Sequence, residues 1–112
     1  MPDTWSVERR ADRTVVVFDG EVDFANAPAL ETDLRAQLQP EGLLVLDLRG
    51  LRFIDSSGLR VFLRLWKSSQ ETSSRVVMVK GSAGVQRLLG FVREEAPFEL
   101  VESPEMLDEP DA

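Results

Sequence analysis

The sequence contains no histidine and no cysteine. Without histidine the chain has no Ser-His-Asp triad, no imidazole ligand for a metal ion and no phosphohistidine. Without cysteine it has no disulfide and no thiolate zinc site, which fits a cytoplasmic protein. We therefore expect a chain that is not an enzyme and that holds no metal and no cofactor.

Long apolar runs and net positive charge are also missing. The apolar runs fall far short of the roughly 20 residues that a membrane-spanning helix needs. The first segment, MPDTWSVERRADR, has no uninterrupted apolar stretch of the kind that a secretory signal contains. The formal net charge is −7, which opposes binding to nucleic-acid phosphates or anionic lipid. We expect no nucleic-acid or membrane contact, and a protein as the partner.

Strand and helix patterns alternate along the 112 residues, which suffice for one domain with one core. Alternating or β-branched segments predict strands at residues 4–10, 13–18, 43–48, 75–80 and 97–102, the first two as a hairpin and the last at a sheet edge. This order predicts an α/β fold, with a mixed β-sheet of about five strands and helices packed mainly on one face. We place a single domain at residues 1–103 and a short acidic tail or truncated helix at residues 104–112.

Three segments carry apolar residues at helical spacing. The first ends at Pro40 and Gly42, the second follows the segment FIDSSGL, and the third begins at a capping residue, Ser82. Their apolar positions are Ala27, Leu30, Leu34 and Leu38 in the first, Leu59, Phe62, Leu63 and Trp66 in the second, and Val85, Leu88 and Leu89 in the third. After the second helix, the turn-forming residues of KSSQETSS predict a polar loop.

The segment FIDSSGL, residues 53–59, lies where a strand ends and a helix begins, and functional residues gather at such places in α/β sheets. In one interpretation the Ser56 hydroxyl is the helix N-cap and Gly58 only allows close packing. Two adjacent serines and a glycine exceed what a cap requires, however. A phosphate on Ser56 would lie over free N–H groups at the positive end of the helix dipole, so we expect the fold to tolerate it.

The same residues carry a resemblance to a known family. FIDSSGLRVFLRLWK, preceded by LLVLDLRGL, resembles the signature of STAS domains (sulfate transporter and anti-sigma factor antagonist). The free-standing bacterial anti-sigma factor antagonists are the members it resembles most. VVVFDGEVDFANAPALETDL is similar to the family's strand, turn and first helix, and SAGVQRLLGF is similar to its third helix. The resemblance covers nearly the whole chain and implies a STAS-type fold.

The resemblance implies a binding module that phosphorylation switches. In the family, the unphosphorylated antagonist binds a serine-kinase anti-sigma factor and frees the sigma factor that this kinase had sequestered. The kinase phosphorylates the first serine after the aspartate, which here is Ser56, and a PPM-type serine phosphatase restores the active form. The partner-binding residues that we expect around it are Asp23, Asp55, Ser57, Gly58, Arg60 and Arg64.

Some of these residues also have a local interpretation. Asp23 fits an Asx-type cap of the first helix, and Asp55 fits a turn residue. Arg60 and Arg64 depart from the family, which usually has small residues there. With Lys67 they form a basic stripe at i, i+4 and i+7, and such a stripe is usually a solvated face.

Alternatives to the switch stay open. Some STAS proteins are accessory subunits bound to the ATPase of a lipid-transporting ABC complex, and others belong to sensory assemblies. A Ser-Lys hydrolase has only Lys67 and Lys80 available, and the junction lacks the G-x-S-x-G nucleophile elbow. The acidic run Asp19, Glu21 and Asp23 lacks the spacing and the glycine of an EF-hand calcium loop.

Overall fold

The computed structural model describes residues 4–108 as a five-stranded sheet with three α-helices and a terminal 3₁₀ helix. The strands are β1 (Trp5–Arg9), β2 (Thr14–Val22), β3 (Leu43–Ile54), β4 (Arg75–Val79) and β5 (Glu99–Val101). The helices are α1 (Ala27–Ala36), α2 (Ser56–Thr72), α3 (Ala83–Gly90) and the 3₁₀ helix Pro104–Asp108. Strands and helices alternate after the first hairpin, as the sequence pattern predicts.

The five strands lie side by side in chain order, β1-β2-β3-β4-β5. Strand β1 is antiparallel to β2, and the remaining neighbours are parallel. The predicted mixed α/β sheet is confirmed, and so are its hairpin and its edge strand β5. Because β2 and β3 are parallel, their carboxyl ends meet at one edge of the sheet, where Val22 pairs with Ile54. The loops that open α1 and α2 therefore lie next to each other.

One face of the sheet carries the three α-helices and the larger core. Phe18 of β2 and Phe62 of α2 meet there edge to face, with ring centroids 6.2 Å apart. Leu30 and Leu34 of α1 are fully buried in the same core. Burying one such side chain stabilises the fold by about 1.5–3 kcal/mol, so this core fixes the helices on the sheet.

The opposite face has a smaller core of valines, Val15, Val45 and Val79. Leu107 of the 3₁₀ helix packs against it, and an ion pair of 2.9 Å joins Asp108 to Arg13. Part of the predicted tail 104–112 thus packs on the sheet as a 3₁₀ helix, and residues 109–112 lie outside the described residues.

Three elements run longer than the sequence pattern predicts, and the first is β2, which continues past residue 18 to Val22. Strand β3 continues past residue 48 to Ile54, because β2 pairs with it along that whole length through two register shifts. Helix α2 continues through most of KSSQETSS to Thr72, so the loop prediction was wrong there. Ser69 is buried and its hydroxyl donates to the Trp66 carbonyl at 2.6 Å, while the Thr72 hydroxyl donates to the Ser68 carbonyl at 2.9 Å. These hydroxyls bond within the helix instead of breaking it.

At 17 residues, α2 is the longest helix in the described part of the chain, and its buried residues form one stripe. None of the helices formed by residues 4–108 combines the length and the apolar character that a bilayer crossing requires.

Candidate functional site

The junction between β3 and α2 is capped by Asp55. Its Oδ1 atom accepts hydrogen bonds from the backbone N–H groups of Ser57 at 2.8 Å and Gly58 at 3.1 Å. The interpretation of Ser56 as the N-cap was therefore wrong, because Ser56 is the first residue of the helix. The expected free N–H groups of Ser57 and Gly58 are likewise occupied, by a carboxylate that already uses the favourable end of the helix dipole.

Ser56 projects from the first turn of α2 and is exposed. Among residues 4–108, no hydrogen-bond partner engages its hydroxyl, whereas the buried Ser69 and Ser74 hydroxyls are both bonded. Ser57 is half-buried. The Ser56 oxygen is thus the more accessible of the two at the junction.

Gly58 is buried beneath this turn, where α2 comes closest to the sheet. A Cβ atom at this position would lie 2.5 Å from Ile54 Cγ1 and 2.9 Å from Val22 Cγ1. Both neighbours are themselves fully buried in the core. Close packing therefore accounts for the glycine, and it holds the Ser56 turn tightly against β2 and β3.

Asp23 organises the neighbouring loop between β2 and α1. Its Oδ1 accepts the backbone N–H of Ala25 at 2.9 Å and that of Asn26 at 3.3 Å. In return, the Asn26 side-chain oxygen accepts the Asp23 N–H at 2.9 Å. Asp23 thus forms an Asx-type turn just before α1, but the N-cap of α1 is Asn26, so the interpretation of Asp23 as the cap was wrong.

A second oxygen of Asp55 joins the two loops. Its Oδ2 accepts the N–H of Phe24 at 3.1 Å, and the Asp55 N–H donates to the Val22 carbonyl at 3.2 Å. Phe24 itself has 77% of its surface exposed. Sequence reasoning missed Phe24, although an aromatic residue in the polar loop DFAN is an available signal. Asp55 thus connects the first turn of α2 to an exposed aromatic side chain.

A groove between α1 and α2 runs from these loops along both helices. Its lining residues are Phe24, Ala27, Pro28, Glu31, Ser57, Arg60 and Arg64. It brings together three of the residues predicted for the partner surface, namely Ser57, Arg60 and Arg64. Asp23, Asp55 and Gly58 hold the adjoining backbone in place.

The two arginines of the groove differ in their contacts. Arg64 donates from Nε to Glu31 at 2.8 Å and forms a second contact of 2.6 Å to the same carboxylate oxygen. This hydrogen bond holds the pKa of Glu31 below its usual value and raises the pKa of Arg64. Arg60 is exposed, and no carboxylate within residues 4–108 pairs with it. The expected solvated stripe therefore contains one paired cation, Arg64, and two, Arg60 and Lys67, that form no ion pair within residues 4–108.

The family can be assigned at this point. A family model described as the STAS domain matches residues 4–102, which include the junction, both loops and the whole sheet. The chain belongs to the STAS domain family. The residues that carried the sequence resemblance are those that form the β3–α2 junction and the loop of Asp23.

Relatives of this STAS domain include anti-sigma factor antagonists. The anti-sigma-B factor antagonist of Listeria monocytogenes is 32% identical over 72 residues, which is 63% of this chain and 63% of that protein. A crystal structure of an anti-sigma factor antagonist from Mycobacterium paratuberculosis is 28% identical, with a TM-score of 0.73, and covers 92% of this chain and 88% of its own. The matched region thus spans less than two thirds of the Listeria protein.

The structure of the anti-sigma factor antagonist SpoIIAA in its unphosphorylated form has the same fold. Its TM-score is 0.71 at 14% identity, and the match covers 93% of both chains. At this identity the likeness concerns the fold alone.

Within the described residues, His, Cys, Asp and Glu side chains form no group of three that could hold a metal ion.

Proposed function

We propose that this STAS domain is an anti-sigma factor antagonist whose affinity for a serine-kinase anti-sigma factor is switched by phosphorylation of Ser56. The proposal rests on the Ser56 hydroxyl at the start of α2. This hydroxyl is exposed and has no hydrogen-bond partner within residues 4–108. The names of the relatives support the antagonist class. A PPM-type serine phosphatase would restore the unphosphorylated form, and the exchange would take place in the cytoplasm.

A kinase needs a serine that can enter its active site while the substrate protein stays folded. The first turn of α2 is fixed on the sheet by Gly58 and by the buried side chains of Val61 and Phe62. Since the Ser56 hydroxyl contributes nothing to that packing, its modification leaves the core contacts of α2 in place. The fold therefore supports a switch that acts through surface charge instead of unfolding.

The charge of the phosphate acts on a site that is already anionic. Phosphoserine adds about −1.5 to −2 charges at pH 7, next to the Asp55 carboxylate that holds the N–H groups of Ser57 and Gly58. The two anions compete for the same helix N-terminus. Any displacement of Asp55 also loosens its bond to the Phe24 N–H. Phosphorylation thereby changes both the charge of the junction and the loop that presents Phe24.

The partner surface in this proposal comprises the groove and the two loops beside it. Ser57, Arg60 and Arg64 present side chains in the groove, whereas Asp23, Asp55 and Gly58 act by shaping the backbone. Because Arg60 is a free cation on a chain of net charge −7, it favours an acidic group on the partner. We infer that Arg60 contacts the partner instead of folding back onto the phosphate.

The proposal is tested by incubating the protein with a cognate serine kinase and ATP and by mapping the phosphopeptides. We expect one modified residue, Ser56. The Ser56→Ala variant should take up no phosphate, and the matched Ser57→Ala variant should still be modified at Ser56. Phosphate confined to other serines, such as Ser68 on α2, would overturn the proposal.

A further inference from the structure

A second concave site lies beside α3, away from the Ser56 junction. A partly open cavity of about 200 Å³ is lined by α3, by the segment 91–98 that follows it and by strands β4 and β5. Its wall is largely apolar and includes Met78, Leu89, Ala96 and Phe98. Within residues 4–108 it shares no lining residue with the groove between α1 and α2. The proposed switch therefore makes no use of this cavity.

The polar groups at the cavity are mostly hydrogen-bond donors. Lys80 is neutralised by Glu102 at 2.9 Å. Gln86 uses its side-chain oxygen to accept the Gly81 N–H at 2.8 Å, so its NH₂ group remains available. Arg93 lines the cavity, and no ion pair engages it within residues 4–108. An exposed arginine without an ion pair in the described residues and an amide with an available NH₂ are therefore among the lining residues of a largely apolar cavity.

The volume limits what the cavity can hold. An apolar cavity of about 150 Å³ in another protein is known to accept benzene, so about 200 Å³ is enough for one aromatic ring or a short alkyl chain with a small polar group. Ala96 is 4% exposed and keeps this space open, because a longer side chain there would enter the cavity. The apolar part of the wall favours an apolar ligand body there, because charged groups are costly to bury without partners.

We propose that this cavity is a binding site for a small organic monocarboxylate. Its aromatic or short alkyl body packs against Met78, Leu89 and Phe98, and its carboxylate accepts hydrogen bonds from Arg93 and Gln86. Arginine is suited to this role because its planar fork matches a carboxylate. A bound ligand of this kind adds apolar contacts that the empty cavity lacks, so it also stabilises the fold.

The test is a titration of the full chain with 3-phenylpropionate, followed by NMR of the backbone and methyl groups. We expect saturable shifts centred on Leu89, Ala96 and Phe98, with a Kd of about 0.1–1 mM, as is usual for a ligand of this size. Phe98 packs edge to face with Trp66, with ring centroids 5.2 Å apart, so Trp66 fluorescence gives a second readout. A parallel titration with octanoate tests whether the cavity binds an alkyl chain or only an aromatic ring.

Further controls test whether the carboxylate of the ligand contributes to binding through Arg93. The neutral amide of 3-phenylpropionate should bind about tenfold more weakly, because charge-assisted hydrogen bonds are roughly twice as strong as neutral ones. Arg93→Gln should reduce the affinity for the carboxylate to that for the amide. Arg87→Gln, on α3 but outside the cavity lining, should change neither. Ala96→Met should abolish binding of both ligands while the protein keeps its cooperative melting transition.

Several results would overturn the proposal. These are the absence of saturable shifts up to about 20-fold above the expected Kd, equal binding of acid and amide, or shifts located at the groove between α1 and α2. Shifts of the cavity residues that depend on protein concentration alone would also overturn it, because they would show a second copy filling the cavity.

Discussion

Replacing Gly58 with alanine measures how tightly the phosphorylation site is packed on the sheet. The new methyl group would lie 2.5 Å from Ile54 Cγ1, 2.9 Å from Ile54 Cδ1 and 2.9 Å from Val22 Cγ1. Alanine favours a helix over glycine by up to about 1 kcal/mol, but an extra methyl group in a packed core costs about 1–3 kcal/mol. We expect packing to prevail, with a net loss of about 1–2 kcal/mol in the free energy of unfolding.

Gly90 supplies the matched control. It also lies in a helix, but no atom lies within 4 Å of a Cβ built there, so Gly90→Ala should stabilise the protein by up to about 1 kcal/mol. Thermal and urea unfolding of both variants should give opposite signs, with about 4–8 °C in Tm for each kcal/mol. If Gly58→Ala is stabilised as Gly90→Ala is, the packing argument fails. If it keeps its stability but loses partner binding, Gly58 contacts the partner directly.

Three further predictions concern the neighbouring charges. Asp55→Ala should lower the free energy of unfolding by about 1–2 kcal/mol, since a helix cap is lost, and should move the Phe24 amide resonance; an unmoved resonance would contradict the link between the loops. Arg64 lowers the pKa of Glu31. Their ion pair should therefore stabilise the fold at pH values above the ordinary carboxyl pKa of about 4.3. This contribution should be lost as the pH falls through the lowered pKa of Glu31. Arg64→Ala should weaken that acid dependence in urea titrations, by about 0.2–1 kcal/mol, and the remainder should come from Arg35, which lies 3.5 Å from the same carboxylate; an unaltered pH profile would refute the prediction. Arg60→Ala should weaken partner binding at low salt more than at moderate salt, and equal affinity to the unaltered protein at both would refute the contact.

The sequence predicted the architecture well because its signals are local and repeated. Apolar residues recur at helical spacing in α1, with Leu30 and Leu34, and in α2, with Phe62. Such stripes require helices that cover one side of a sheet, and that arrangement is observed. The end of α2 was not predictable in the same way. Serine and threonine favour turns, but Ser69 and Thr72 bond to carbonyls of their own helix, and the burial of Ser69 depends on tertiary packing.

The sequence predicted where β3 ends and α2 begins, but it did not predict the hydrogen bonds at that junction. All three residues of Asp55-Ser56-Ser57 are good capping residues, so composition does not decide which one caps α2. The choice depends on β3 continuing to Ile54, which places the Asp55 carboxylate against the amides of α2 and of Phe24. The pairing of Arg64 with Glu31 spans 33 residues of sequence and becomes visible only once α1 and α2 are packed together.

The central claim is tested most directly by the affinity of the protein for a serine-kinase anti-sigma factor before and after phosphorylation of Ser56, measured by calorimetry. We predict binding of the unphosphorylated protein and of Ser56→Ala. The phosphorylated protein and Ser56→Asp should bind at least tenfold more weakly, which corresponds to about 1.4 kcal/mol, and the phosphorylated protein should keep its cooperative thermal transition. Equal affinity of the two forms would contradict the account, as would a loss of that transition on phosphorylation, because the switch would then be absent or would act by unfolding.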